Sequence, residues 1–276
     1  MSEGFIINHQ SSTIKSLFRV GTTSYIVPDD LVANARYLAG RVEDMQLVLF
    51  DVPDGPCNYP TPNEVTELGR IAAESGLSYT VHLPLDVRWS ENGRHPSLVA
   101  AKQVIDLTQS LQPWAYVLHL DGRIEREPGT TLAELQQWQA NSVRALELLA
   151  DWVGGPELLA VENLEGYPLD FIMPVLAQIS VNRCVDVGHL WLDGHDPVPY
   201  LQKALPRTRV IHIHGLQERD HLSLAHMSPE QIERVLAVLR QANYDGVLTL
   251  EIFGENDFHS SIAALRAGVE AVWDVD

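Results

Sequence analysis

The sequence predicts a single α/β domain closed as a (β/α)8 barrel. Three observations carry this expectation. Apolar stretches alternate with amphipathic ones through eight rounds of the chain. The apolar stretches are continuous, as strands buried on both faces of a parallel sheet must be. The 276 residues match the roughly 250 that one such barrel needs. No Gly-x-Gly-x-x-Gly or Gly-x-x-x-x-Gly-Lys loop occurs, which weakens a doubly wound nucleotide-binding fold.

The elements follow in order. FRVGTTS (18–24) reads as a strand, and PDDLVANARYLAGRV (28–42) as a helix capped by Asp29 or Asp30. MQLVLFD (45–51) is a continuous apolar strand. TPNEVTELGRIAAESG (61–76) is an amphipathic helix, with Thr61 to cap it and Gly76 to end it. Strand three is LSYTVHLP (77–84) and helix three SLVAAKQVIDLTQSL (97–111). Strand four is AYVLHLD (115–121), followed by a long helix from Thr131 to Val153. LLAVEN (158–163) leads to a shorter helix, 169–179, interrupted by Pro174. NRCVDVGH (182–189) leads to the short helix PVPYLQKAL (197–205). TRVIHIHG (208–215) is strand seven, and SPEQIERVLAVLRQAN (228–243) a helix capped by Ser228. GVLTLEIF (246–253) and a helix over 256–273 close the chain. No linker divides it, so residues 18–276 are expected to form one catalytic domain, with a polar arm at 1–17.

Composition narrows the function. Hydrophobic residues make up 45%, enough for a real core. No apolar run reaches membrane-spanning length, and the N-terminus lacks the basic and apolar segments of a secretion signal. The two cysteines, Cys57 and Cys184, form no metal-type pair, and such sparse use fits a reducing cytoplasm. The formal charge of -18, with no clustered Lys/Arg run, argues against a nucleic-acid partner, because affinity for duplex DNA comes largely from neutralising phosphates.

The chemistry stands at the strand ends. His82 ends strand three, His119 strand four and Glu162 strand five. Asp186 and His189 stand on strand six and its exit, His212 and His214 on strand seven, and Glu251 on strand eight. His221 follows in the exit loop ERDHLSL. A lone histidine in an apolar strand is ordinarily a satisfied core residue, and a lone buried glutamate can pair with an arginine. Six consecutive strands each donating an imidazole or carboxylate to one mouth is different, since Lys and Arg are almost absent from those ends. Divalent metal is the economical neutraliser. With no thiolate in the set, Zn²⁺, Mn²⁺, Fe²⁺ and Co²⁺ all suit it. Around this core, Arg88 and Arg219 are the candidate cations for an anionic substrate group. Tyr25, Trp89 and Trp191 follow strand ends and could form an apolar wall, and Asp51 could line the pocket or cap a loop. His195 and His226 stand near enough to the mouth to touch substrate, whereas Cys184 reads as a small core residue.

The series His82, His119, Glu162, Asp186-x-x-His189, His212, His221 and Glu251 resembles the xylose-isomerase-like TIM-barrel superfamily, from about Phe18 to the end. That group includes sugar epimerases and endonuclease IV-type enzymes. In the epimerase branch the resemblance implies one metal on Glu162, Asp186, His212 and Glu251, with the two glutamates moving protons. In the endonuclease branch it implies further zinc ions on His82, His119, His189 and His221. The sequence departs where that branch has an aspartate two residues before His221, for Arg219 stands there, as an arginine does in the epimerases.

A narrower resemblance, spread over RVGTTSYIVPDDLVANARYLAGRVEDMQLVLFD, YTVHLPLD, CVDVGHLWLDGHD, RVIHIHGLQERDHLSL and LTLEIF, is to the cobamide-remodelling phosphodiesterases of the CbiR type. It implies hydrolysis of the phosphoribosyl linkage in the nucleotide loop of cobamides (vitamin B12 and its relatives), for remodelling and salvage. The implied cofactors are two or three divalent ions, zinc first among them. Several metals and many imidazoles suit phosphodiester hydrolysis. Glu162 would bridge two ions and Glu251 orient the attacking water, while His189 and His221 would bind a third ion or the phosphate. His214, nearer the rim than His212, would face the substrate or its phosphate. The alternative is a divalent-metal sugar isomerase or epimerase, which needs one ion and leaves His82 and His119 as pocket residues. A third is a non-catalytic corrinoid or metal carrier.

Overall fold

A computed structural model describes residues 18–52 and 54–273; the arm expected at 1–17 lies outside the described residues. The strands are β1 Arg19–Thr23, β2 Asp44–Val48, β3 Ser78–His82, β4 Tyr116–Leu118, β5 Leu159–Glu162, β6 Asn182–Asp186, β7 Thr208–Ile213 and β8 Val247–Leu250. All pair in parallel and in sequence order, and β1 closes on β8 through Thr22 opposite Leu250. The expected eight-stranded barrel is therefore the observed one.

Helices α1 Leu31–Leu38, α2 Pro62–Ser75, α3 Pro96–Thr108, α4 Leu132–Val153, α5 Met173–Leu176, α6 Val187–Leu192, α7 Pro197–Ala204, α8 Pro229–Gln241 and α9 Glu255–Trp273 connect the strands. Their starts follow local chemistry. Thr61, Thr131 and Ser228 close capping boxes with Glu64, Glu134 and Gln231, which satisfies main-chain N–H groups that the first turn leaves free. Gly76 and Gly154 end α2 and α4 in the left-handed conformation that glycine adopts without strain. Several elements are shorter than the sequence expectation, so His119, His214 and Glu251 stand one residue past β4, β7 and β8, and two segments differ further. Pro174 does not interrupt a helix over 169–179; it stands in the first turn of the four-residue α5, where its missing N–H costs nothing. Strand six does not reach His189. It ends at Asp186, whose side chain accepts from the His189 N–H at 2.7 Å and caps α6. That cap places His189 a helical turn beyond Asp186.

Residues alternate between two environments along each strand. On β7, Ile211 and Ile213 belong to the large core between barrel and helices. Val210 belongs to a small apolar cluster inside the barrel, with Ala115, Val117, Ala160 and Cys184. Below that cluster Trp114 lies between two guanidinium groups, Arg19 at 3.9 Å and Arg209 at 4.1 Å from its ring. Arg209 also donates to the Trp114 carbonyl, and the Trp114 indole N–H to the Arg209 carbonyl. The inward face of β7 thus runs from the apolar Val210 up to His212 and His214. Between β6 and β7 the register shifts at Arg183/Cys184, after which Asp186 stands opposite His212. No helix among the described residues is long and apolar enough to cross a membrane.

Candidate metal centre

Six consecutive strand ends converge as expected. Glu162 is the hub. Its Oε1 lies 3.1 Å from His212 Nδ1, and its Oε2 lies 3.3 Å from His82 Nε2 and 3.2 Å from His119 Nε2. Glu251 brings Oε2 to 3.1 Å from the same His212 nitrogen and 3.4 Å from His221 Nε2. Asp186 Oδ2 lies 3.8 Å from His212 Nδ1 and 3.5 Å from His189 Nδ1.

Potential ligand atoms fall into groups whose members all lie within 4.8 Å of one another. Glu162, Asp186, His212 and Glu251 form one. His82 and His119 form a second with Glu162, and His189, His214 and His221 a third. A further group joins Cys184 to Glu162 and His212, although burial pushes its thiol up and away from the thiolate form that metals bind.

The arrangement fits divalent cations. Three carboxylates are buried together, and the ion pairs they make among the described residues are with imidazoles. Asp186 Oδ2 and Glu251 Oε2 are buried without a hydrogen-bond partner. His212 Nε2 stands 2.8 Å from the Gln46 side-chain oxygen. With the proton held there, its Nδ1 lone pair meets two carboxylate oxygens at 3.1 Å, which is repulsive unless a cation lies among them.

Protons take that role when the imidazoles are charged. Burial opposes charge on His119, yet Glu162 and Asp86 outweigh it and hold the imidazole up at about 10. Burial likewise opposes charge on His221, and Glu251, Asp186 and Asp220 raise it to about 9. For Glu162, burial favours the neutral acid, and His212 and His119 overcome it to hold the carboxyl well below the usual range.

The outer partners match those of metal-binding histidines, which usually give their second nitrogen to a carbonyl or carboxylate. His82 Nδ1 donates to the Leu83 carbonyl at 2.9 Å, and His189 Nδ1 to the Asn163 carbonyl at 3.1 Å. Asp86 accepts from His119 Nδ1 at 3.2 Å, and Asp220 stands 3.2 Å from His221 Nδ1.

Some expected residues are placed elsewhere. His214 is wholly buried, packed beneath His221, so it does not face substrate as expected; the loop after β7 folds over it. Asp51 is exposed, bridged to Cys57 in the loop after β2, and takes no part in the cluster. Arg88 approaches Asp121 at 3.7 Å and lines a cleft of about 440 Å³ against α4, with Trp89, Arg123 and Trp138. Arg219 is exposed on the loop after β7, as are His195 and His226 on theirs. Trp191 packs against the core. Tyr25 is half-buried, accepts from Asn58 at 2.8 Å, and meets Phe50 and the exposed Phe253, with ring centroids 6.2 Å away in each case.

The sequence reading missed Gln46 and Asp86. Gln46 carried a usable signal, a polar residue inside the apolar run DMQLV. Asp86 sits in a polar loop, where an aspartate attracts no notice.

A family model described as a xylose isomerase-like TIM barrel matches residues 43–272. The chain belongs to this family. Among solved structures it resembles a D-tagatose 3-epimerase-like protein at 18% identity, with a TM-score of 0.76 and 93% of this chain and 99% of that one covered. It resembles the 3-keto-D-glucoside 4-epimerase of E. coli at 15% identity and a TM-score of 0.68, covering 91% and 98%. It resembles endonuclease IV from Thermus thermophilus at 20% identity and a TM-score of 0.64, covering 92% and 99%. At such identities the likeness establishes the family's fold. No curated protein matches the sequence.

Proposed function

We propose that this family member is a multi-metal hydrolase of a phosphodiester, with the nucleotide loop of a cobamide as its substrate. One observation carries the hydrolase reading. Glu162 offers Oε1 to the Asp186–His212–Glu251 group and Oε2 to His82 and His119, so one carboxylate serves two adjacent sites. A one-metal centre needs only the first group. Metals held by the two groups would supply Lewis-acid polarisation of the phosphoryl oxygens and a water of lowered pKa.

The chain's own residues do the rest. Glu251, fixed beside His212, accepts a hydrogen bond from the attacking water and orients it. His189 and His221, nearer the rim, meet a phosphate oxygen or a third ion. The exposed Arg219 stands beyond them for an anionic group. The ring faces of Tyr25, Phe50 and Phe253 suit a large planar substrate better than a free sugar. The cobamide itself rests on the sequence resemblance. The charge of -18 supports a small corrinoid over DNA. Two free cysteines support a cytoplasmic setting.

The comparisons favour a second reading. Most of the similar solved structures are described as sugar epimerases. In that case Glu162 and Glu251, which both approach the same His212 nitrogen, exchange a proton with opposite faces of a sugar carbon, and one metal suffices.

Elemental analysis separates the two, since two or three ions per chain support the hydrolase and one ion the epimerase. The metal-loaded protein is then incubated with adenosylcobalamin, abasic-site DNA and a ketohexose. Cobamide left intact, with the metals confirmed present, would sink the main reading, and a new ketohexose epimer would establish the second.

A further inference from the structure

Strand β7 carries two imidazoles on one face, and their hydrogen bonds set them in opposite states. A carbonyl or carboxylate can only accept, so a neutral ring bound to one carries its proton there and keeps a lone pair on the other nitrogen. His82, His119 and His189 are all of this kind, each holding Nδ1–H to an acceptor and leaving Nε2 open to a cation. His214 is the exception. The main-chain N–H of His221 points at its Nδ1 from 3.1 Å, and a main-chain N–H can only donate. Nδ1 must accept, which puts the ring proton on Nε2. The Gly215 carbonyl also lies 3.3 Å from Nδ1, a longer contact than the one the His221 N–H makes. The His221 donor therefore decides the tautomer.

Three features hold this ring in place. His221 has φ of 52°, a left-handed conformation that costs a residue with a side chain about 1 kcal/mol or more. That conformation aims its N–H at His214 while its own ring stacks on the same imidazole, 4.3 Å between centroids. A pair of main-chain hydrogen bonds between Gly215 and Leu222 closes the loop that brings His221 back. On the opposite side, a Cβ on Gly188 would lie 2.1 Å from His214 Nε2, so the missing side chain is what admits the ring. Nε2 is buried without a hydrogen-bond partner and faces Asp186 Oδ1 at 3.4 Å. That oxygen also receives the His189 N–H at 2.7 Å, while Asp186 Oδ2 receives nothing.

We propose that His214 is a positioning residue rather than a metal ligand: its Nε2–H, held by His221 and seated on Gly188, turns Asp186 so that Oδ1 takes the donors and Oδ2 is kept for the cation. This rests on the metal-binding reading of the centre. It separates His214 from His189 and His221, which stand beside it with their Nε2 atoms turned to the carboxylates of Glu165 and Glu251.

The first test is nitrogen NMR of protein labelled in its imidazoles, metal-free and then loaded with cadmium-113. His214 is expected to stay protonated on Nε2 in both, without coupling to cadmium. A proton on Nδ1, or coupling at Nε2, overturns the proposal. The metal-free spectrum decides the tautomer even if the chain binds no metal, an outcome that would instead defeat the proposed function.

The second test compares His214→Leu, His214→Gln and Gly188→Ala by zinc titration and elemental analysis. The leucine variant is expected to keep the wild-type number of ions and to bind the Asp186-held ion about 10- to 100-fold more weakly, the usual effect of losing an outer partner. Glutamine can accept from His221 and donate to Asp186, and is expected to recover most of the affinity. Gly188→Ala, which displaces the ring, should weaken binding as leucine does. Loss of a whole ion in the leucine variant without rescue by glutamine, or unchanged affinity in all three, overturns the proposal.

Discussion

Oε1 of Glu162 lies 3.1 Å from Nδ1 of His212, with both side chains sealed from solvent. Every other group of the centre is arranged about this pair, and the second oxygen of the same carboxylate serves His82 and His119. Glu162→Gln removes the charge shared by two sites. Metal affinity is expected to fall at both, by more than the roughly 100-fold that outer partners cost. Isothermal titration with zinc measures it; a variant that loses one site and keeps the other at full strength would show that Glu162 is not shared.

Asp86 pairs with His119 from outside the cluster. Asp86→Asn keeps the shape but no longer fixes the Nδ1–H form of the ring. The site built on His82 and His119 is expected to weaken about 10-fold or more. The Asp186 site should be unchanged, which the two phases of a zinc titration would show.

Metal and protons compete for the same nitrogens. His119 and His221 are raised to about 10 and about 9 in the metal-free protein. Zinc uptake near neutral pH is therefore expected to release protons, and affinity to rise with pH toward 9–10. The stability that these raised groups contribute is fully present below the ordinary imidazole value near 6.5 and is lost as pH rises through about 9 and 10. The urea midpoint of chelator-treated protein should drop over that window, and the midpoint of metal-loaded protein should drop less.

Asp44 lies at the other end of the barrel. Burial raises its carboxyl to about 6, against the opposing hydrogen bonds of Ser78 and Thr80 and the charge of Arg19. A raised carboxyl leaves stability intact below about 3.8 and removes it as pH rises through about 6, on the order of 3 kcal/mol by neutral pH. Asp44→Asn is expected to raise the urea midpoint at pH 7. Below pH 4 the gain should vanish.

Much of the site was legible because of the fold class. Parallel barrel strands are buried on both faces, so Glu162, Asp186 and His212 stand out against Val, Ile and Leu. Gln46 gave the same signal and was missed because amides are not usual metal ligands. The fate of His214 was not legible. It shares a face with His212, and what seals it is non-local: a loop folding back from β7, and a glycine two residues past Asp186, just beyond the end of the neighbouring strand. Arg88 and Asp51 failed for a related reason. Both follow strand ends, but Arg88 turns its side chain to Asp121, and the Asp51 main chain pairs with Cys57 in an exposed loop. The reach of β6 was overestimated because Asp186 is both a strand residue and a helix cap, and the sequence does not announce that second role.

The Trp114 indole, clasped between Arg19 and Arg209, stoppers the floor of the barrel. Above it Ala115, Val117, Ala160, Cys184 and Val210 fill the barrel interior, and the candidate metal centre lies at the strand ends beyond them. Under the proposed function, substrate would reach the centre from the side of Tyr25 and Phe253, and product would leave by that side too. Product held there would compete directly with substrate.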